Sequence, residues 1–247
     1  MNNYDIKMAV LDMDGTLLQN DHTISHDNRE AVKKALENGV EVIIATGRSL
    51  QAVDMFADEL SLKDYIITGN GSEIWHLSGP ELIERSSLKA ELVEAMWEIR
   101  NAYGTRHWAA SVGKVWKQEM PDNLKDLEWL KFGFDMDSME IKKEVLKKLE
   151  QLEGLEITNS SPLNIEVNAE GVHKAGAIET LLEFKNLSFN EVMAVGDSLN
   201  DISMIQAAGI GVAMGNAQDV VKEKADFITT ANGDHGVAEA FRKFRLI

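Results

Sequence analysis

Met8-Ala-Val-Leu11 runs directly into Asp12-Met-Asp14-Gly15-Thr16-Leu17. Four consecutive apolar residues without alternation read as a strand covered on both faces, and so as a parallel strand of an α/β sheet. Asp12 and Asp14, two apart in extended backbone, project to the same side where that strand ends. Gly15 then lets the chain turn without a Cβ penalty. Taken alone, Asp-x-Asp-Gly-Thr fits an ordinary turn equally well, because Asp and Gly are common turn formers. The other strand ends have to decide.

Further apolar runs of the same kind follow: Val42–Ala45, Tyr65–Thr68, Val192–Val195, Ile210–Ala213 and Phe227–Thr229. Helical stretches lie between them, at 28–37 behind a Ser25 or Asp27 cap, and at 50–60, 174–184, 201–208 and 217–224. Strands alternating with helices give an α/β, doubly wound parallel sheet of Rossmann-like form. The middle of the chain differs. All three prolines and four of the five tryptophans (Trp97, Trp108, Trp116, Trp129) fall between residues 80 and 165. There, Leu88, Leu92, Met96 and Ile99, and again Ile141, Val145, Leu149 and Leu152, repeat at helical spacing. Segments 107–119, 131–134 and 163–167 look like strands. The expectation is an α/β core made of residues 1–84 and 172–247, with an α+β module, 85–171, inserted into it.

The 247 residues carry 25 Lys+Arg against 41 Asp+Glu, a formal net charge of −16. That balance argues against a nucleic-acid binder, since nothing would neutralise a phosphate backbone. It also means that an anionic small substrate needs local cations, from Lys, Arg or a metal, to reverse the field. With no cysteine, thiolate metal sites, disulfides and a cysteine nucleophile are excluded. No apolar run approaches the roughly 18 residues of a membrane span, and Met1–Asp5 does not read as a leader, so a cytoplasmic protein without membrane partners is expected.

At the edge where parallel strands end, Thr46-Gly47-Arg48 follows the second run, Lys174 precedes a helix, and Gly196-Asp197-Ser-Leu-Asn200-Asp201 follows the fourth. Three or four carboxylates converging at one edge repel one another unless a hard cation joins them, and an all-oxygen set suits Mg²⁺. Carboxylate nucleophile, metal, hydroxyl and lysine together make an inventory for phosphoryl transfer.

These four motifs, in this order and spacing, resemble the haloacid dehalogenase superfamily of phosphohydrolases, and within it the Cof-type sugar-phosphatase branch with a large inserted α+β cap. Ile67-Thr-Gly-Asn70-Gly71, Ala213-Met-Gly-Asn216-Ala217 and Asn232-Gly-Asp-His-Gly236 extend the match over almost the whole chain. The resemblance implies Asp12 as the nucleophile that becomes an aspartyl-phosphate, and Asp14 as general acid and then base. It implies Thr46, Gly47, Arg48, Lys174 and Asn200 around phosphate or substrate. It places Mg²⁺ on Asp12, the Asp14 carbonyl and Asp197, with Asp201 ordering its surroundings. The substrate implied is a small phosphorylated metabolite, bound under the cap. A phosphomutase built from the same parts stays open, whereas a signalling receiver of similar inventory orders its acidic residues differently.

Two positions depart from the pattern: Ala175 follows Lys174 where Gly is usual, with Gly176 one later, and His235 stands where an acid is common. Arg48 reads equally as a substrate contact or as a salt-bridge partner. His173 reads as structural, and His22 with His26 lacks a third zinc ligand. Gly209–Gly215 lies within a strand, outside the context of a dinucleotide fingerprint. The cap tryptophans read as core, and Lys142, Lys143, Lys147 and Lys148 as a solvated helix face.

Overall fold

The computed structural model describes residues 5–247; Met1–Tyr4, part of the segment read above as no leader, lie outside the described residues. Strand β1 (Met8–Leu11) is wholly buried and pairs in parallel with β2 (Glu41–Ala45) on one side and β11 (Val192–Gly196) on the other. Beyond these lie β3 (Tyr65–Thr68) and, on the far side, β12 (Ile210–Ala213) and β13 (Phe227–Ile228), all parallel. The central strands serve two cores at once. Ala9, Leu11, Val42, Ile44, Met193 and Val195 join one apolar cluster, while Met8, Val10, Ile43, Ala45, Val192 and Ala194 join another. That division is the physical meaning of the unbroken apolar runs: every side chain is covered, whichever face it points to.

Helix α1 (His26–Glu37) starts at Ser25, whose side chain accepts from the Asn28 N–H, and packs on the first cluster beside α8 (Gly236–Lys243). Helix α5 (Lys174–Lys185) covers the second. Segment 50–60 is not one helix: a 3₁₀ turn at Leu50–Ala52 and α2 (Asp54–Glu59) are separated by Val53 at φ −122°. The 201–208 helix begins as a 3₁₀ turn at Leu199–Asp201 before α6 (Ile202–Ala207), and 217–224 shrinks to α7 (Asp219–Lys222).

The core sheet is not purely parallel. β4 (Glu73–His76) and β5 (Glu81–Arg85) add an antiparallel hairpin to β3, giving the order β13-β12-β11-β1-β2-β3-β4-β5 among the described residues. A second sheet, fully antiparallel, has the order β7-β6-β8-β10-β9. Its strands are β6 (Arg106–Ser111), β7 (Lys114–Lys117), β8 (Trp129–Asp135), β9 (Leu155–Thr158) and β10 (Asn164–Ala169). Helices α3 (Ala90–Tyr103) and α4 (Met139–Leu149) lie against one face. Ala109, Phe132, Phe134, Ile165 and Val167 point into that core; the alternate residues Trp108, Lys131, Gly133 and Glu166 form the opposite face. Lys142 corrects the reading of its helix as a solvated lysine face. It is buried and its Nζ donates to the Pro162 carbonyl at 2.8 Å, whereas Lys143, Lys147 and Lys148 are exposed.

The apolar cluster of the second sheet draws its members only from residues 88–169, and neither core cluster includes any of them. The two sheets meet instead through hydrogen bonds. Asn168 Nδ2 donates to the Gly69 carbonyl at 2.7 Å, Ser198 Oγ to the Ser160 carbonyl at 3.2 Å, and the Asn200 N–H to the Asn159 carbonyl at 3.3 Å.

Candidate active site

β1, β2 and β11 end side by side, so Asp12, Thr46 and Asp197 emerge on one edge, where the strand order reverses on either side of β1. That is where open α/β sheets bind ligands. Lys174 opens α5 and is completely buried. Its Nζ donates to Asp12 Oδ1 at 2.5 Å and to Asp201 Oδ1 at 2.6 Å. The second oxygen of Asp201 accepts the main-chain N–H groups of Asp197 at 2.9 Å and Ser198 at 3.0 Å, which fixes the loop after β11. Asp12 Oδ2 has no donor among the described residues.

Two glycines make this convergence possible. Gly15 has φ +81°, and a Cβ on it would stand 2.5 Å from Asp197 Oδ2; a Cβ on Gly196 would stand 2.5 Å from Asp201 Cβ. Any side chain at either place forces the acidic loops apart.

One carboxylate oxygen each from Asp12, Asp197 and Asp201 lie within 4.8 Å of one another. Burial, then the charge of Asp201, pushes the Asp12 carboxyl well above its ordinary range despite Lys174. Burial and Asp201 likewise push Asp197 up to about 7. Burial works against the charge on Lys174, but Asp12 and Asp201 outweigh it and hold that amine above the usual lysine range. Three carboxylates share one ammonium in a dry site, a deficit of positive charge that a hard divalent cation fits. Among the described residues, Asp12 keeps one oxygen without a donor, and the oxygens of Asp197 accept only the hydroxyls of Thr16 at 3.4 Å and Ser198 at 3.2 Å. Those of Asp201 hold Lys174 and two main-chain N–H groups.

The second strand end supplies Thr46, buried, whose Oγ1 accepts the Arg48 N–H at 3.2 Å. Arg48 grips Asp14 with two bonds, Nε to Oδ2 at 2.8 Å and Nη2 to Oδ1 at 2.5 Å. Its guanidinium lies over the Phe56 ring, 5.7 Å from the centroid. The evenly balanced readings of Arg48 thus meet in one residue: it pairs with an acid, and that acid is Asp14.

These residues open onto a cavity of about 300 Å³, walled by Asp12, Asp14, Thr46, Gly47, Arg48 and Asn200 from the core, and by Trp108, Lys131, Ser160 and Glu166 from the second sheet. Lys174 and Asp201 are sealed behind it, with no exposed surface. The cations on the cavity wall are therefore Arg48 and Lys131, and Lys131 escaped the sequence reading. Its Nζ donates to Glu166 Oε2 at 2.5 Å and to the Gly47 carbonyl at 3.4 Å. A Cβ on Gly47 would meet both Lys131 Nζ and Asn70 Oδ1 at 2.8 Å, so this glycine is where the second sheet touches the strand end. Burial alone would push Glu166 up; Lys131, with Ser160 and Asn70 as donors, outweighs it and brings the carboxyl down to about 2. Burial holds Lys131 below the usual lysine range in spite of Glu166.

Trp108 lines the cavity half-buried, which corrects its reading as core, while Trp129 is fully buried as read. His173 is structural: it caps α5, its Nδ1 accepting the Gly176 N–H at 3.0 Å, so the shifted glycine supplies the capped amide. Among the described residues, the Asp12–Asp197–Asp201 group is the one cluster of metal-ligand type, and His22 and His26 form none. No helix of the described residues is long and apolar enough to cross a membrane.

A family model of haloacid dehalogenase-like hydrolases matches residues 9–133 and 116–241. The chain is a haloacid dehalogenase-like hydrolase. Within that family it is 51% identical over 242 residues to the 5-amino-6-(5-phospho-D-ribitylamino)uracil phosphatase YcsE of Bacillus subtilis, covering 98% of this chain and 97% of that one. The pyridoxal phosphate phosphatase YbhA of Escherichia coli is 28% identical, covering 94% and 96%. Among solved structures, the haloacid dehalogenase subclass IIB sugar phosphatase BT4131 superposes with a TM-score of 0.86 at 27% identity, over 98% of this chain and all of that one. This haloacid dehalogenase-like hydrolase is a phosphatase of the Cof type, and its second sheet is the cap.

Proposed function

We propose that this phosphatase hydrolyses a small phosphomonoester through a phosphorylated Asp12, with Mg²⁺ as its metal. The observation that carries the reading is the state of Asp12: one oxygen is fixed by Lys174 and the other is without a donor, at a cavity that Asp14 also lines. A free Asp12 oxygen attacks phosphorus, and the bond from phosphorus to the leaving oxygen breaks. Asp14, protonated once Arg48 releases one of its oxygens, gives that proton to the leaving oxygen, so an alcohol departs. Asp14 then takes a proton from water as the water oxygen attacks phosphorus, freeing inorganic phosphate and restoring the Asp12 carboxylate. Thr46 holds phosphate oxygens, Asn200 contacts phosphate or substrate, and Lys174, sealed behind the cavity, acts by fixing Asp12. Mg²⁺ would be held by Asp12, the Asp14 carbonyl and Asp197, with Asp201 fixing the loop; it supplies positive charge against the phosphate oxygens.

Residues 1–84 and 172–247 act as the catalytic unit, and 85–171 as the cap that excludes water and meets the leaving group. The relative at 51% identity makes 5-amino-6-(5-phospho-D-ribitylamino)uracil the substrate of first choice, and a cysteine-free chain suits work in the cytoplasm. The test is phosphate release from that compound and from acetyl phosphate, with Mg²⁺ and with EDTA, by the wild type and by Asp12→Asn. Mg²⁺-dependent release that Asp12→Asn abolishes is the expected result. Release that survives the substitution would end the covalent route, and phosphoryl transfer to a second sugar in place of water would favour a mutase.

A further inference from the structure

The cap wall of the cavity carries three features that the hydrolytic chemistry does not use. Trp108 on β6 stands opposite Gly133 on β8. A Cβ on Gly133 would fall 2.1 Å from the indole Cε2 and 2.5 Å from Nε1, so the ring lies directly on the strand in the space that the missing side chain leaves. Lys131, two residues along the same face, places its Nζ 4.9 Å from the ring centroid and is itself held by Glu166 at 2.5 Å. The indole thus rests on the strand at Gly133 and has the Lys131 ammonium over its ring. Its remaining surface borders the cavity.

The hydrogen-bond pattern on that wall is incomplete in a specific way. In the same sheet, Trp116 donates Nε1–H to Ser111 Oγ at 2.9 Å, and Trp129 donates to the Leu124 carbonyl at 2.8 Å. The Trp108 indole N–H has no acceptor among the described residues. Across the cavity, Asn200 is 7% exposed and its Oδ1 is buried without a partner. Its orientation is set by a relay that starts at a carboxylate, which can only accept. Asn70 Nδ2 donates to Glu166 Oε2 at 2.7 Å, which turns Asn70 Oδ1 toward Asn200 Nδ2 at 3.3 Å and leaves Asn200 Oδ1 as the open acceptor. A buried acceptor left alone costs free energy that a ligand N–H or O–H would recover.

We propose that Trp108, set by Gly133 and the Lys131–Glu166 pair, is the platform on which a planar ring of the leaving group stacks, so that the site selects phosphomonoesters of ring-bearing alcohols over ring-free polyol phosphates. The inference rests on the phosphatase reading above and adds a specificity residue to it. A flat, polar heterocycle covers the indole, offers an acceptor to its N–H and can supply a donor to Asn200. A ring-free polyol presents hydroxyls to an apolar face and gains less by covering it.

The test compares kcat/KM for the ribitylaminouracil phosphate proposed above with that for ribitol 5-phosphate, which lacks the aminouracil ring. The variants are Trp108→Ala, Trp108→Phe and Gly133→Ala, each checked for fold by thermal melting. Wild type favours the ring-bearing ester. Trp108→Ala lowers the ratio about tenfold or more, the scale of base-on-aromatic stacking, with the loss chiefly in KM. Trp108→Phe recovers much of the ratio, and Gly133→Ala, which displaces the indole while keeping it, lowers it. Equal kcat/KM for the two esters in the wild type, or a wild-type ratio in folded Trp108→Ala, overturns the platform. Turnover of either ester that requires Asp12 keeps the phosphatase reading intact when the platform fails, and absence of turnover of both removes both readings.

Discussion

Asp14 and Arg48 come from different strand ends, 34 positions apart in the chain, and meet as a two-pronged ion pair, with Nε and Nη2 of the arginine at 2.8 and 2.5 Å from the two carboxylate oxygens. A planar guanidinium holds a carboxylate in one plane as well as at one distance. The proposed proton carrier is therefore positioned by Arg48, and one prong must let go before its oxygen can take up the proton it passes on.

The first expectation follows from that grip. Arg48→Ala lowers kcat/KM by about 10- to 100-fold, on the scale of a mispositioned acid–base group. Arg48→Lys, a point charge without the fork, restores only part. Steady-state kinetics on the ribitylaminouracil phosphate, whose alcohol needs the proton to leave, tests this; wild-type values in Arg48→Ala would refute the positioning role.

Lys174 makes a second case. Replacing it by Met leaves Asp12 and Asp201 facing each other, buried, with no cation between them. Removing one partner of a buried charge pair costs about 3–5 kcal/mol. Chemical denaturation without metal should show a loss of that order, together with loss of turnover. Added Mg²⁺ should restore part of the stability and none of the activity.

The Lys131–Glu166 pair predicts an acid-dependent stability. Glu166 is held down to about 2 in the folded chain against an unfolded value of 4.5. A depressed carboxyl contributes stability that is present above the unfolded value and is lost as pH falls through the folded one. The window is thus pH 4.5 to 2, and the contribution is at most about 3 kcal/mol. Glu166→Gln should be less stable than wild type at neutral pH, with the gap closing as pH falls through that window. Because Lys131 is buried as well, Lys131→Met combined with Glu166→Gln should recover much of the loss. A gap that stays constant from pH 7 to 3 would show that charge is not its source.

Metal binding should carry a proton signature. Burial and the neighbouring Asp201 hold Asp197 up to about 7 in the metal-free chain. Ligation requires the ionised carboxylate, so Mg²⁺ affinity should rise between about pH 6 and 8, with proton release on binding. Calorimetry in buffers of different ionisation enthalpy measures that release. Asp197→Asn should abolish both the binding and the Mg²⁺-induced rise in Tm.

The parts of the fold and site that the sequence announced are those where local pattern and structure coincide. Unbroken apolar runs such as Met8–Leu11 and Val192–Val195 became two-faced strands, and the acidic, hydroxyl and lysine residues at their ends came together as read. The hairpin Glu73–His76 and Glu81–Arg85 was passed over although Gly79-Pro80 marks its turn, because both strands carry charged residues. Lys131 and Glu166 were missed for a deeper reason. Alternation at Lys131-Phe-Gly-Phe134 and Leu163-Asn-Ile-Glu-Val167 gives one apolar and one polar face, and that pattern is identical whether the polar face meets water or roofs a binding cavity. Only the placement of the second sheet over the first distinguishes them. Lys142 shows the same limit, since helical spacing locates a lysine on a face but not the carbonyl of Pro162 that waits there.

The separation of apolar clusters between the two sheets has a consequence for turnover. The polar contacts named across that boundary are hydrogen bonds, made by Asn70, Asn168, Ser198, Asn200 and Lys131. Water can replace such bonds one for one, at a net cost of about 1 kcal/mol each. Few apolar side chains, among them Leu130 and Trp108, are uncovered when the roof lifts. The enclosure can thus breathe open to release alcohol and phosphate while each half keeps its own interior dry.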